Sequence, residues 1–280
     1  RASEHASDSP QLDAELIVGH VTGLDRVGLR TKDDTVPTDA QGADIEALVL
    51  RRLTGEPIAY LLGTAWFYGR EFQVDSRVLV PRPETELLVE LALTHLAQRA
   101  AEDHHTGAAA VVDTCTGSGC VGISIAASSP TTDVTCTDIS EDALDVARAN
   151  AARLAPRVAL ASGDLLRPAE KHAPFAVVTA NPPYVEGSQA GGLEQRVVDH
   201  EPHVALFVPD GGVAAIYGDI AQQAAQLLEP GGLLAVEHGS GQRHQVVDAF
   251  ERAGLVHVHG VDDLAGIDRV VIGYRPTQGG

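Results

Sequence analysis

The apolar positions along this chain change period twice. Residues 9–23, SPQLDAELIVGHVTG, place Leu12, Leu16, Ile17 and Val21 at helical spacing, and Gly23 closes the segment. Residues 38–54 repeat the pattern with Ile45, Leu48, Val49 and Leu53, ending at Gly55. These two segments predict a small helical unit. Over residues 64–80, TAWFYGREFQVDSRVLV, aromatic and β-branched residues surround a central glycine, which predicts a hairpin. Pro81 and Pro83 then lead into another helical stretch, ETELLVELALTHLAQRA.

From about residue 109 onward the pattern alternates. Short β-branched runs at 109–112, 134–137, 158–160, 175–180, 233–237, 256–259 and 269–274 read as strands. Stretches such as 140–154 and 212–228 read as helices. Alternation of this kind predicts an α/β fold with a seven-stranded, mostly parallel sheet and helices on both faces. The expected organisation is a helical domain over residues 1–63, a hairpin linker over 64–80 and a sheet domain over 81–280.

Composition narrows the function classes. The chain has 280 residues, 44% hydrophobic and 21% charged, an ordinary globular balance. No apolar run approaches the roughly 20 residues of a membrane helix. The opening RASEHASDSP lacks the apolar stretch of a signal peptide, and three scattered cysteines make no disulfide framework. A cytoplasmic location is expected. The net charge of -19, with Lys32 and Lys171 the only lysines, is ill suited to neutralising phosphates. Direct DNA binding is therefore not expected, and basic or mixed-charge protein partners fit better. The twelve histidines show no H-E-x-x-H or Cys/His metal spacing. His104 and His105 lie in a polar stretch and read as solvated.

The first strand of the sheet domain runs into Asp113-Thr114-Cys115-Thr116-Gly117-Ser118-Gly119-Cys120-Val121-Gly122. Glycines there allow a tight turn and a close approach of backbone to ligand. The second strand ends at Asp138, 19 residues past Gly119, where a carboxylate could accept two ribose hydroxyls. A nucleoside cofactor follows, with NAD and S-adenosylmethionine as candidates. Asp113 separates them: it would repel a pyrophosphate and attract a cationic methionine portion. Asp164 and Leu165, in SGDLL after the third strand, are placed for the adenine, although an aspartate there also suits a turn or helix cap.

The fourth strand delivers Asn181-Pro182-Pro183-Tyr184 at its carboxyl end, where open α/β sheets bind ligands. The two prolines fix φ, remove two N–H donors and hold their neighbours extended. The side-chain oxygen of Asn181 and the carbonyl of Pro182 can then accept both N–H bonds of a planar amide or amino group. Tyr184 can align that group with a sulfonium methyl. Catalysis of this kind is positioning and electrostatics, with no metal and no covalent intermediate.

These residues carry a resemblance. The chain is similar to the HemK family of methyltransferases, which modify a glutamine of peptide chain release factors. The likeness includes GEPIAYLLG (55–63), FYGREF (67–72), VLVPRPETELLVE (78–90), the glycine loop, NPPY (181–184), LEPGGLLAVEHG (228–239) and DLAGIDRVV (263–271). It implies a Rossmann-like class I methyltransferase sheet behind a helical substrate-binding domain, with S-adenosylmethionine as cofactor. It also implies transfer of methyl to the N5 of the glutamine in the release factor's Gly-Gly-Gln motif. Cofactor contacts would come from Asp113, Cys115, Thr116, Gly117, Ser118, Gly119, Asp138, Asp164, Leu165 and Asn181, and substrate contacts from Asn181 through Tyr184.

Two departures bear on the substrate. Cys115 stands where release-factor enzymes usually have glycine, and C-T-G-S-G-C looks more like enzymes that methylate a glutamine of a large-subunit ribosomal protein. PRPETE is similar to the release-factor branch and outweighs it. Adenine-N6 methylation of nucleic acid is a further alternative, opposed by the charge. Among smaller signals, Cys115, Cys120 and Cys136 read as buried, inert thiols. Glu201 reads either as a brace for the NPPY loop or as a loop carboxylate. Glu237, an acid inside an apolar strand, is expected to pair with a neighbour.

Overall fold

The structure, a computed structural model, describes residues 9–31, 36–101, 108–192 and 194–277; His104 and His105 lie outside them. Helix α1 (Pro10–Thr22) ends at Gly23, whose φ of 71° takes the left-handed turn that glycine tolerates. A short α2 (Arg26–Thr31), too brief to show a period, precedes α3 (Asp39–Leu53). A capping box between Thr38 and Gln41 opens α3. The buried Asp13 of α1 pairs with Arg52 of α3 at 2.7 Å. After α4 (Ile58–Leu62) come β1 (Thr64–Phe67) and β2 (Arg70–Gln73), the expected antiparallel hairpin.

The hairpin expected as a linker is packed against the sheet region. Phe67 and Phe72 are 1% and 0% exposed and meet edge-to-face within the main core. The Tyr68 N–H donates to Glu86 at 2.7 Å. The buried Asn150 accepts from the Gln73 N–H at 2.7 Å and donates to the Gln73 carbonyl at 3.0 Å. Two aromatic rings hold too much apolar area to stay in water, so the hairpin packs as part of the sheet domain. The preceding α4 is tied down as well, because the Tyr60 hydroxyl donates to the Val78 carbonyl at 2.5 Å.

A 3-10 turn over Pro83–Thr85 leads into α5 (Glu86–Ala101). The wound region follows as β3 (Ala110–Thr114), α6 (Cys120–Ser128), β4 (Asp133–Asp138), α7 (Glu141–Leu154), β5 (Ala159–Ser162) and β6 (Phe175–Ala180). An insertion holds β7 (Val185–Glu186), α8 (Gln195–His200), α9 (His203–Leu206) and β8 (Phe207–Val208). The chain closes with α10 (Gly212–Leu227), β9 (Leu228–Glu237), α11 (Arg243–Arg252), β10 (Val256–Asp262) and β11 (Asp268–Tyr274).

The seven-stranded sheet has the order β10-β11-β9-β6-β3-β4-β5. The pairs among β9, β6, β3, β4 and β5 are parallel, and β11 runs antiparallel between β9 and β10. Each predicted strand is present, and β9 begins earlier than expected, at Leu228. Val111 and Val177 fall in one buried cluster with Ile123 and Leu88, while Val112 and Val178 fall in another with Ile220 and Phe250. That alternation along continuous apolar strands is the mark of a sheet covered on both faces. Winding reverses between β3 and β6, so their carboxyl ends open into a crevice. Among the described residues, no helix is long and apolar enough to cross a membrane.

Candidate functional site

A cavity of ≈ 280 Å³ occupies that crevice. One wall holds the residues after β3, β4, β5 and β6: Asp113 through Ser118, Asp138, Ile139, Asp164, Leu165, Asn181 and Pro183. The other holds residues 77–82 with Thr85, and Val204, Ala205 and Phe207.

Asp113 is 2% exposed, and the protein itself occupies its carboxylate. Its Oδ2 accepts from the Thr116 hydroxyl and from the Gly122 N–H at 3.1 Å, and its Oδ1 from the Thr179 hydroxyl at 2.8 Å. Asp113 therefore holds the glycine loop to α6 and β6, while its charge still faces the cavity. Burial pushes its pKa up to about 6 against the pull of those bonds. Within the loop Cys115, Gly117 and Gly119 have φ of 55°, 54° and 81°. A side chain on Gly117 would stand in open space, so the backbone there is free for close approach by a ligand. A Cβ at Gly122 would overlap the Cys136 thiol. Cys115 takes a left-handed conformation with a side chain, which accounts for glycine being usual at that place.

Asp138 closes the loop from β4. Its Oδ2 accepts from the Gly117 N–H and its Oδ1 from the Ser140 N–H, each at 2.9 Å. Burial raises its pKa. Next to it Ile139 is 65% exposed yet lines the cavity, an apolar face fit for a flat base. Asp164 is exposed and lies 3.6 Å from Arg167. Leu165 has φ 51°, and its carbonyl accepts from the Thr137 hydroxyl at 2.8 Å.

Asn181 sits where the cavity meets a buried polar corner. Its Nδ2 donates to the Thr85 hydroxyl at 3.3 Å. Pro182 is buried, and the Tyr184 ring packs against Gly239, so neither lines the cavity; nor does Gly119, which caps α6. Gln242 holds the loop from behind. Its Nε2 donates to the Tyr184 carbonyl at 2.9 Å, and its Oε1 accepts from the Tyr217 hydroxyl at 2.8 Å and the Gly239 N–H at 3.1 Å.

Glu201 is 4% exposed and braces the opposite wall, not the NPPY loop. It accepts from the Arg82 guanidinium and from the Val80 N–H at 3.2 Å. The three cysteines are free, and burial pushes the Cys120 thiol up to about 12 and the Cys136 thiol well above its usual range. Thr85, Ile139 and Gln242 carry no motif of their own; an isoleucine directly after Asp138 is the local signal that points to one of them.

The sheet order, with the glycine loop, Asp138 and NPPY at neighbouring carboxyl ends, defines a class I methyltransferase, whose methyl donor is S-adenosylmethionine. The methyltransferase from Pyrococcus furiosus shares this fold, with a TM-score of 0.51 at 16% identity, over 84% of this chain and 99% of that one. Residues 88–213 match the methyltransferase small domain family and residues 2–63 the PrmC N-terminal domain family. The chain belongs to the release factor glutamine methyltransferase family. It is 40% identical to the enzyme of that name from Bordetella pertussis, over 95% of each chain. It is 38% identical to the one from Koribacter versatilis, over 96% of this chain and 93% of that one.

Proposed function

We propose that this protein transfers a methyl group from S-adenosylmethionine to the side-chain amide nitrogen of the glutamine in the Gly-Gly-Gln motif of peptide chain release factors. The observation that carries the reading is Asn181 at the edge of a cavity ringed by Asp113, Asp138 and Asp164. The acidic ring suits a cationic cofactor with ribose hydroxyls and an adenine amino group to donate. Gly117 leaves room for it, and Ile139 offers an apolar face to the base. When bound, the cofactor supplies a methyl group on a positively charged sulfur.

The chain's own contribution is orientation. An amide nitrogen is a poor nucleophile because its lone pair is delocalised into the carbonyl. The Oδ1 of Asn181 and the carbonyl of Pro182 accept its two N–H bonds and leave the lone pair directed at the methyl. Pro182 and Pro183 keep competing donors out of this turn. Tyr184 braces the loop. This work falls mostly in the transition state, where fixed acceptors matter most.

Residues 1–63 supply the docking surface for the factor, since one glutamine side chain offers too little area to be selected by itself. Val49, Leu50 and Leu53 of α3 are 37%, 58% and 66% exposed. A cytoplasmic site of action fits a partner that works on the ribosome. The test incubates the protein with labelled S-adenosylmethionine and, separately, a release factor, a large-subunit ribosomal protein and DNA. Label confined to the release factor at the Gly-Gly-Gln glutamine is the expected result; label on either of the others instead refutes the assignment.

A further inference from the structure

Asn181 works in the proposed reaction only one way round. Its Oδ1 must face the substrate, because its NH₂ would meet the N–H groups of the glutamine amide donor to donor. An asparagine side chain is nearly symmetric in shape, so packing alone does not choose between the two orientations. Something beside it must.

Strands β6 and β9 pair in parallel with Ala180 opposite Val236, so the next residues along, Asn181 and Glu237, lie side by side at the strand ends. Glu237 is 2% exposed. Thr85 and Asn181 both favour its charged form. Its Oε2 nevertheless has no hydrogen bond within the chain, and a buried unpaired oxygen is costly. Thr85, itself 3% exposed, already accepts from Asn181 Nδ2 at 3.3 Å. The expected partner of Glu237 is therefore this polar corner, a role the strand pattern could not assign.

We propose that Glu237 is a positioning residue: its carboxylate, together with Thr85, takes the NH₂ side of Asn181 and so turns Oδ1 toward the substrate amide. An ionised carboxylate only accepts hydrogen bonds, so the opposite orientation would set oxygen against oxygen. Protonation gives the carboxyl group a donor and removes that discrimination. The inference rests on the proposed role of Asn181.

Burial pushes Glu237 up to about 7, so its charge changes within the working range. The groups facing it are Glu84 before α5, Arg269 of β11, Tyr184 of the NPPY loop, Tyr217 of α10 and Cys120 of α6. Glu84 raises its pKa and Arg269 lowers it. Arg269 is itself shared with Asp263 at 3.0 Å and lies 4.0 Å from Glu84.

The experiment measures steady-state methylation of a Gly-Gly-Gln peptide against pH, at saturating S-adenosylmethionine, for the wild type, Glu237→Gln, Glu237→Asp and Asn181→Ala. Glu237→Gln keeps the shape but can present either an oxygen or an NH₂ to Asn181. It should keep its cofactor affinity by calorimetry and lose about tenfold or more in kcat. The wild-type kcat should fall below about pH 7, and that acid limb should vanish in Glu237→Gln and persist in Glu237→Asp. A Glu237→Gln kcat within about twofold of wild type, or an acid limb unchanged by that substitution, overturns the inference. Should Glu237→Gln fail to fold, the wild-type profile and Thr85→Ala carry the test. A flat wild-type profile, or full activity in Thr85→Ala, overturns it, whereas an acid limb with a lowered kcat in Thr85→Ala supports it. Asn181→Ala separates the two layers. Retained activity there refutes the proposed function itself, while its collapse beside an unaffected Glu237→Gln refutes the role of Glu237 alone.

Discussion

The helices before the hairpin and the sheet that follows it handle apolar surface in opposite ways. In the sheet Val111, Val112, Val177, Val178, Leu234 and Val236 are 0% exposed, and helices cover both faces. In α3 none of the residues is buried, and Ile17 is the buried apolar residue of α1. Leu50 and Leu53 stay 58% and 66% exposed, and an ion pair between Asp13 and Arg52 joins α1 to α3. A close-packed sheet resists displacement of the groups at its edge, which suits chemistry that depends on placing two acceptors. A thinly buried helical unit with apolar residues outward suits adaptation to a partner's surface. The hairpin belongs with the sheet in this respect, since Phe67 and Phe72 anchor it in the core.

The comparison breaks most sharply at Asn181. Asn181→Ala should lower turnover by about a hundredfold or more while cofactor binding is only partly reduced, because the lost acceptor acts in the transition state. Turnover within a few-fold of wild type, measured with labelled cofactor, would remove Asn181 from the mechanism. Asp138→Ala should act on binding instead. Hydrogen bonds to a charged acceptor contribute roughly 1.5–3 kcal/mol each, so calorimetry should show cofactor affinity weaker by about tenfold or more.

The helical side is tested by adding charge where it is exposed. The double variant Leu50→Glu, Leu53→Glu should reduce methylation of the intact release factor several-fold and leave a Gly-Gly-Gln peptide unaffected. Equal losses on both substrates would show that these helices serve the fold and not the docking. The smallest effect expected is on pH. Asp113 is raised to about 6 in the folded protein, from about 3.9 when unfolded, so the fold holds an extra proton between those values. The cofactor-free protein should lose stability as pH rises through that window, seen as a falling melting temperature. If Asp113 attracts the cationic cofactor as proposed, cofactor affinity should rise over the same window as the carboxyl group gains its charge.

Much of this molecule is legible in the sequence. The seven strands followed from β-branched runs, the end of α1 from Gly23, and the loop from glycines of which Gly117, Gly119 and Gly122 each have a spatial reason. NPPY announced a rigid turn because two successive prolines constrain their own backbone. Each of these is a property of neighbours in the chain, and local sterics and period report it directly.

What only the tertiary structure decided is which distant groups meet. Asp113 reads from the sequence only as a charge beside the glycine loop, and the fold also ties its oxygens to Thr116, Gly122 and Thr179. Glu201 reaches Arg82 and Val80 across more than a hundred residues, and the register of β9 beside β6 sets Glu237 next to Asn181. The hairpin signal was plain, but whether its aromatic residues faced a partner or a core depended on Asn150 and the helices around it. Strand order and register set these meetings. They are determined by burial summed over the whole chain, and no window of the sequence contains that sum.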